Sequence, residues 1–183
     1  AEDTRYMESL TVVYTYFGQK EQIDKILEQK HPQCRVIIVD DCSPEPLGKI
    51  EGIDVYRIED NIRWNIAGAR NLGFQESEGW IVNSDIDHIL TKENVEDILK
   101  LNKEKGTVYL LGRKPIREGE KERLLIEKED GAPIILIHKD DWEKIGGFDE
   151  DFSGHYGMDD VLFLLQIKEY LKVVEKRDIK LDL

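Results

Sequence analysis

Val36-Ile37-Ile38-Val39-Asp40-Asp41-Cys42-Ser43 (VIIVDDCS) joins four consecutive apolar residues to a pair of acids. A short, unbroken apolar run rich in β-branched side chains marks a strand covered on both faces. Such strands belong to parallel sheets sandwiched between helices. Upstream, Leu10-Thr11-Val12-Val13-Tyr14-Thr15-Tyr16 has the same character and reads as a strand. Between the two, Ile23, Ile26 and Leu27 recur at helical spacing within residues 20–30. Downstream, Ser43-Pro44-Glu45-Pro46 breaks the chain and Asp54–Ile58 alternates as a third strand. A helix is expected over 65–77, a strand from Trp80, and a helix carrying Val95, Ile98 and Leu99 behind Thr91 as its N-cap. This alternation predicts an α/β fold: one Rossmann-like domain with a mostly parallel central sheet flanked by helices.

In such sheets ligands sit outside the carboxyl ends of the strands. Thr15-Tyr16-Phe17, Asp40-Asp41 and Asp85-Ile86-Asp87 occupy those ends, so one edge of the molecule is the expected site. Residues two apart on an extended strand end project to the same side, which would bring the Asp85 and Asp87 carboxylates together. Like charges at close range are costly unless a cation or a proton intervenes. Mg²⁺ or Mn²⁺ answers that need, because hard cations take carboxylate, phosphate and water oxygens together. The plain alternative is a pair of loop carboxylates solvated by water.

The second half is less regular. Arg113–Asp130 is dense in charge and reads as a solvated hairpin or short helix, or as a flap over the site. Ile134–Ile137 is a strand, 139–145 a short helix and 147–157 a glycine-rich loop, with a last helix from near Met158.

Of the 183 residues 40% are hydrophobic and 36% charged, which suits one globular domain. The net charge of -13 disfavours a long nucleic-acid partner. No apolar run of about 18 residues is present, so no membrane span is expected. The opening AEDTRYMESL lacks the basic and apolar regions of a signal peptide. Cys34 and Cys42 flank one strand that holds them apart, against a disulfide and in favour of a reducing, cytoplasmic location.

Five segments, in order, carry a family resemblance. They are Thr11–Phe17, Val36–Ser43 ending in Asp-Asp-x-Ser, Asn65-Ile66-Ala67-Gly68-Ala69-Arg70-Asn71-Leu72-Gly73, Asp85-Ile86-Asp87, and Gly146-Gly147-Phe148-Asp149-Glu150 followed by Tyr156-Gly157-Met158-Asp159-Asp160. Together they resemble the nucleotide-sugar-dependent glycosyltransferases of the GT-A fold, most nearly family 2. The resemblance covers nearly the whole chain. It implies one GT-A domain over 1–183, with a nucleotide-binding half of about 1–90 and an acceptor and catalytic half of about 91–183. It implies Thr15 and Asp41 on the nucleobase and Arg70 beside the nucleotide. Asp85 would sit near ribose and metal, and Asp87 would bind Mn²⁺ or Mg²⁺ as the second acid of a DXD motif. Asp160 would be the catalytic base, with Asp159, where the family more often carries Glu, on the acceptor. The donor favoured is a UDP-sugar, and the acceptor a carbohydrate, lipid or protein-linked hydroxyl. The compact second half suggests an open acceptor site, or one completed by an oligomer or partner subunit.

Each of these residues has a duller reading. Asp159 and Asp160 begin a helix, where acids serve as caps or complement the macrodipole. His88 reads as an exposed loop histidine. Trp64 and Trp142 read as packing residues rather than sugar platforms, although Trp142 precedes the acceptor loop. His155 and Tyr156 either touch an acceptor sugar or order the glycine-rich loop. Ala67, Gly68 and Ala69 suit a close ligand or tight helix packing equally. The rival functions are a retaining transferase on the same fold and a non-catalytic nucleotide-sugar-binding module. A nucleotidyltransferase would want a basic, glycine-rich loop after the first strand, which Tyr16-Phe17-Gly18-Gln19-Lys20 supplies poorly.

Overall fold

The computed structural model describes residues 8–114 and 134–182. Within them the strands are β1 (Leu10–Tyr16), β2 (Cys34–Asp41), β3 (Asp54–Ile58), β4 (Trp80–Asp85), β5 (Thr107–Arg113), β6 (Ile135–His138) and β7 (Lys172–Leu181). The helices are α1 (Glu21–Glu28), α2 (Ile66–Gln75), α3 (Lys92–Lys100), α4 (Lys139–Ile145) and α5 (Asp159–Tyr170). All the strands join one sheet in the order β3-β2-β1-β4-β6-β5-β7. β6 runs antiparallel to β4 and β5, and every other pair is parallel. The mostly parallel, helix-flanked sheet expected from the sequence is therefore present.

Successive residues of the central strands feed two different cores. Val12, Tyr14, Val36, Ile38 and Val82 pack on one face with Ile26 of α1 and Val95 and Ile98 of α3. Val13, Ile37, Val39, Ile81 and Ile137 pack on the other with Ala69 and Phe74 of α2 and Phe163 and Ile167 of α5. A strand with no wet face needs an apolar residue at every position, which is why VIIV carries no alternation. Thr91 caps α3 as expected: its hydroxyl accepts from the Asn94 backbone N–H at 3.1 Å, and the Asn94 side chain accepts from Thr91 N–H at 3.0 Å.

The chain break read at Ser43-Pro44-Glu45-Pro46 is present between β2 and β3. Residues 42–53 carry β2 to β3 without a helix, so the strand–helix alternation lapses there. The two prolines explain it, since each removes a backbone donor and biases its predecessor away from helix. β5 and β7 were not expected, and they complete the far side of the sheet. Most of the charge-rich Arg113–Asp130 stretch lies outside the described residues, and with it the flap reading. No helix among the described residues is long and apolar enough to cross a membrane.

α2 lies unusually close to β1. A Cβ built on Gly73 would stand 2.2 Å from Val13 Cγ1. Gly73→Ala is therefore expected to destabilise the fold by about 1–3 kcal/mol through overpacking. The readout is the thermal melting midpoint, and an unchanged midpoint would show that α2 lifts off β1 freely.

Candidate functional site

β1, β2 and β4 end level with one another: Tyr16 pairs with Asp40, and Thr15 with Asp85. α2 and α5 begin at that same edge. The structure thus brings Thr15, Asp41, Asp85, Arg70 and Asp159 to one region.

The two acids ending β2 live in different environments. Asp40 is fully buried, and its carboxylate accepts from the Ser43 hydroxyl (2.5 Å), from the backbone N–H groups of Leu47 (3.0 Å) and Ser43 (2.9 Å), and from Arg57 (2.8 Å). Burial pushes its pKa up, but these donors outweigh burial and the net shift is downward. Asp41 is half-buried and has one weak donor, Asn65 Nδ2 at 3.4 Å. Burial pushes Asp41 up to about 6; Asn65 opposes the shift and the neighbouring Asp40 charge adds to it. Asp40 is thus a structural anchor, whereas Asp41 keeps spare acceptor capacity among the described residues.

Three polar residues of α2 and its N-cap tie the two halves of the edge together. Asn65 is buried; it donates to Asp41 and accepts from Ser153 Oγ at 2.8 Å. Its amide lies over Gly68, where a Cβ would come within 2.4 Å of Oδ1, so Gly68 is small for the sake of Asn65. Arg70 is 3% exposed and donates to Asp85 Oδ1 at 3.0 Å and to Asp159 Oδ2 at 3.2 Å. Its guanidinium carbon stands 5.1 Å from the centroid of the Phe148 ring. Asn71 donates to Phe148 O (2.8 Å) and Glu150 Oε1 (2.9 Å) and accepts from Phe148 N–H (2.9 Å). Sequence reasoning assigned no role to Asn65 or Asn71. The available signal was two amides flanking Arg70 on a helix otherwise made of small and apolar residues.

Strand β4 stops at Asp85. Ile86 and Asp87 enter a turn closed by His88 N–H donating to Asp85 O at 3.0 Å. The extended geometry that would set Asp85 and Asp87 side by side therefore ends one residue too early. Asp85 is half-buried against Arg70, Ile86 is buried, and Asp87 is exposed. His88 is buried rather than exposed, and its Nε2 lacks a hydrogen-bond partner. Burial lowers its pKa, aided by the positive charge of Arg113 and opposed by Asp87 and Asp85. Among the described residues no three His, Cys, Asp or Glu side chains converge on a metal position. With Asp85 turned to Arg70, Asp87 is the exposed carboxylate here suited to a hard cation whose other ligands are phosphate and water.

At the start of α5, Met158 adopts a left-handed φ of 74°. Asp159 turns inward to Arg70 and is buried, whereas Asp160 is half-buried and, among the described residues, accepts from the Val161 backbone N–H at 2.9 Å. Adjacent acids thus differ: one is consumed by an ion pair, and the other makes none with the described residues. Trp142 stacks on Phe74 with centroids 5.2 Å apart, as a packing residue should. Trp64 does not pack in the core; it is 46% exposed. His155 and Tyr156 are both exposed on the loop before α5.

A depression of about 390 Å³ lies elsewhere, lined by Lys30, His31, Cys34, Arg35 and Asp54. It sits at the amino ends of β2 and β3, away from the converging acids. Strand-end geometry, not cavity size, therefore locates the site.

A sequence model of "Glycosyl transferase family 2" matches residues 20–162. An uncharacterized glycosyltransferase of Haemophilus influenzae is 27% identical, the match covering 86% of this chain and 62% of that protein. Staphylococcus aureus TarS 1–349 in complex with UDP-GlcNAc superposes with a TM-score of 0.75 at 16% identity, covering 94% of this chain and 57% of that one. The mannosyltransferase PcManGT of Pyrobaculum calidifontis, in complex with GDP-Man and Mn²⁺, superposes with a TM-score of 0.65 at 16% identity, covering 100% and 59%. This chain spans less than two thirds of the length of each of these proteins. At such identities the superpositions establish the GT-A fold.

Proposed function

This chain belongs to glycosyl transferase family 2, and on that premise we propose that it moves a sugar from a nucleotide diphosphate sugar, UDP-linked, to an acceptor hydroxyl with inversion. One observation carries the reading. Arg70 holds Asp85, at the end of a donor-side strand, and Asp159, at the head of α5, in a single buried bridge, which leaves the adjacent Asp160 without an ion pair among the described residues. The roles follow from the environments. Asp41, with spare acceptor capacity, takes the uracil ring N–H, and Thr15 lies beside it. Asp85 and Asp87 face the ribose and diphosphate. Asp87 would hold Mg²⁺ or Mn²⁺ directly, with Asp85 nearby on Arg70, and the ion when bound supplies Lewis-acid stabilisation to the leaving diphosphate. Asp160 accepts the proton of the acceptor hydroxyl as its oxygen bonds to the anomeric carbon. The bond from that carbon to the diphosphate oxygen breaks on the opposite face, and the electron pair leaves with UDP. Asp159 is a positioning residue for α5. The free thiols of Cys34 and Cys42 favour a reducing, cytoplasmic setting.

The test is UDP release from UDP-sugars with Mn²⁺ and no added acceptor, water serving in its place. Release supports transfer chemistry. Binding without release from any UDP-sugar would favour the non-catalytic module. The anomeric configuration of a product, read by NMR, separates inversion from retention.

The raised pKa of Asp41 gives a further prediction. A carboxyl raised on folding contributes stability below its ordinary value of 3.8, and loses that contribution as pH rises through about 6. Uracil recognition needs the carboxylate, so UDP affinity should do the opposite and fall as pH drops through about 6. Asp41→Asn should flatten both slopes. Calorimetry of UDP binding across this range checks it, and a pH-independent Kd would remove Asp41 from the base.

A further inference from the structure

Trp64 and Tyr156 come from segments 92 positions apart in the chain, yet their rings meet edge to face, with centroids 4.9 Å apart and planes at 64°. Both are exposed, by 46% and 78%, and Met158 beside them is 59% exposed. Trp64 has a φ of 55° and Met158 a φ of 74°. Left-handed backbone at non-glycine residues is costly and concentrates where function demands it. Trp64 immediately precedes Asn65, which reaches Ser153, and Tyr156 stands three and four residues before Asp159 and Asp160. Two large rings are therefore displayed to solvent at the acceptor side of the site, although burial would normally stabilise each of them.

We propose that Trp64 and Tyr156 form the platform for the pyranose ring of a neutral sugar acceptor. This deepens the transfer reading above and rests on it. A pyranose presents an axial C–H face, which the negative face of an aromatic ring attracts, and an equatorial rim of hydroxyl donors. Acids lie near Tyr156 in the chain to accept from those hydroxyls: Asp151 precedes it in the same loop and Asp160 follows it, while Asp149 and Glu150 already accept from Asp151 N–H and Asn71. The same carboxylates repel a uronate or a phosphate-bearing acceptor, on a chain whose net charge is already -13. A nucleobase is the other flat partner to weigh. Tyr156 and the acids around it belong to the α5 side of the site, across Asn65 from Asp41, which makes the sugar the better fit.

Tryptophan emission supplies a readout that needs no turnover. Trp80 is buried and Trp142 is stacked on Phe74, so an exposed reporter is left at Trp64. The protein loaded with UDP and Mn²⁺ is titrated with lactose, cellobiose and chitobiose, and with glucuronate as the charged control. A saturable emission change with at least one neutral disaccharide and none with glucuronate is expected. Tyr156→Ala should shift that titration midpoint at least tenfold. Trp64→Ala should raise the acceptor KM for that disaccharide at least tenfold while changing the Kd of UDP less than twofold. Both rings are exposed, so neither truncation opens the core. No emission change with any of the disaccharides overturns the platform, as does an unmoved midpoint in Tyr156→Ala. A tenfold loss of UDP affinity in Trp64→Ala also overturns it, by giving the ring to the nucleobase. UDP release by the unaltered protein without acceptor tests transfer chemistry separately, so the two failures are distinguishable.

Discussion

Asp160→Asn is expected to lower transfer to an acceptor by about 10²- to 10⁴-fold, the usual worth of a positioned general base. The amide keeps the shape and can still accept from Val161 N–H, the one hydrogen bond that Asp160 makes among the described residues. What it loses is the ability to take the acceptor proton. UDP binding should stay within a factor of about two, because among the described residues Asp160 makes no ion pair that holds the donor side together. The kinetic signature is a fall in kcat with KM for the donor sugar almost unmoved, as expected when an interaction made only in the transition state is removed. Asp159→Asn should behave differently, since that carboxylate faces Arg70. Its effect should appear as lost stability along with lost activity. Transfer at the unaltered rate by Asp160→Asn would assign the base to another group.

Arg70→Met should destabilise the protein by about 3–5 kcal/mol, the cost of leaving a buried charge without its partner. Methionine keeps an unbranched apolar stem but ends two atoms short of the guanidinium, so the contact with Phe148 goes with the charge, and the charge change dominates. The two acids respond unequally. The Asp85 side chain is 41% exposed and can rehydrate, whereas that of Asp159 is 12% exposed and is left stranded. Adding Asp159→Asn to Arg70→Met should therefore recover part of the loss, and adding Asp85→Asn much less. Chemical denaturation of the single and double variants gives the comparison. If both second substitutions recover the same amount, or neither recovers any, the buried bridge is not the element that joins the donor strand to α5.

The arrangement around α2 explains why the motif Asn65–Gly73 has the residues it has. Gly73 admits β1, Gly68 admits the Asn65 amide, and Arg70 and Asn71 hold the loop before α5 in place. A close-ligand reading of the small residues is not needed: backbone and side-chain packing account for Gly68 and Gly73. The arrangement also shows why Asp40 and Asp41 cannot exchange roles. One has several donors, the other a single weak one.

Local pattern was enough for the strands that are buried on both faces. β1 spans Leu10–Tyr16, as its residue types predict. β3, Asp54–Ile58, is a half-buried edge strand legible from its alternation instead, and Thr91 caps α3 where expected. β7 could not be read this way. As the edge strand Lys172–Leu181 it is mostly exposed and rich in Lys, Arg, Asp and Glu, so no alternation marks it, and only pairing with β5 makes it a strand. β5 is a short apolar run whose place and direction depend on β6, and β6 runs antiparallel because of where the chain returns, not because of its composition.

The identities and order of the acids, and their positions at strand ends, were set by the sequence alone, because apolar periodicity fixes where a buried strand stops and the next polar residues must emerge. Which acid is spent on structure was decided only in three dimensions. Arg70 lies 15 residues from Asp85 and 89 from Asp159, and local pattern carries no information about pairs so far apart. The same holds for Trp64 and Tyr156: burial is a property of the assembled surface, and a tryptophan's composition-based expectation of packing gives way when its backbone turns left-handed and holds the ring outward.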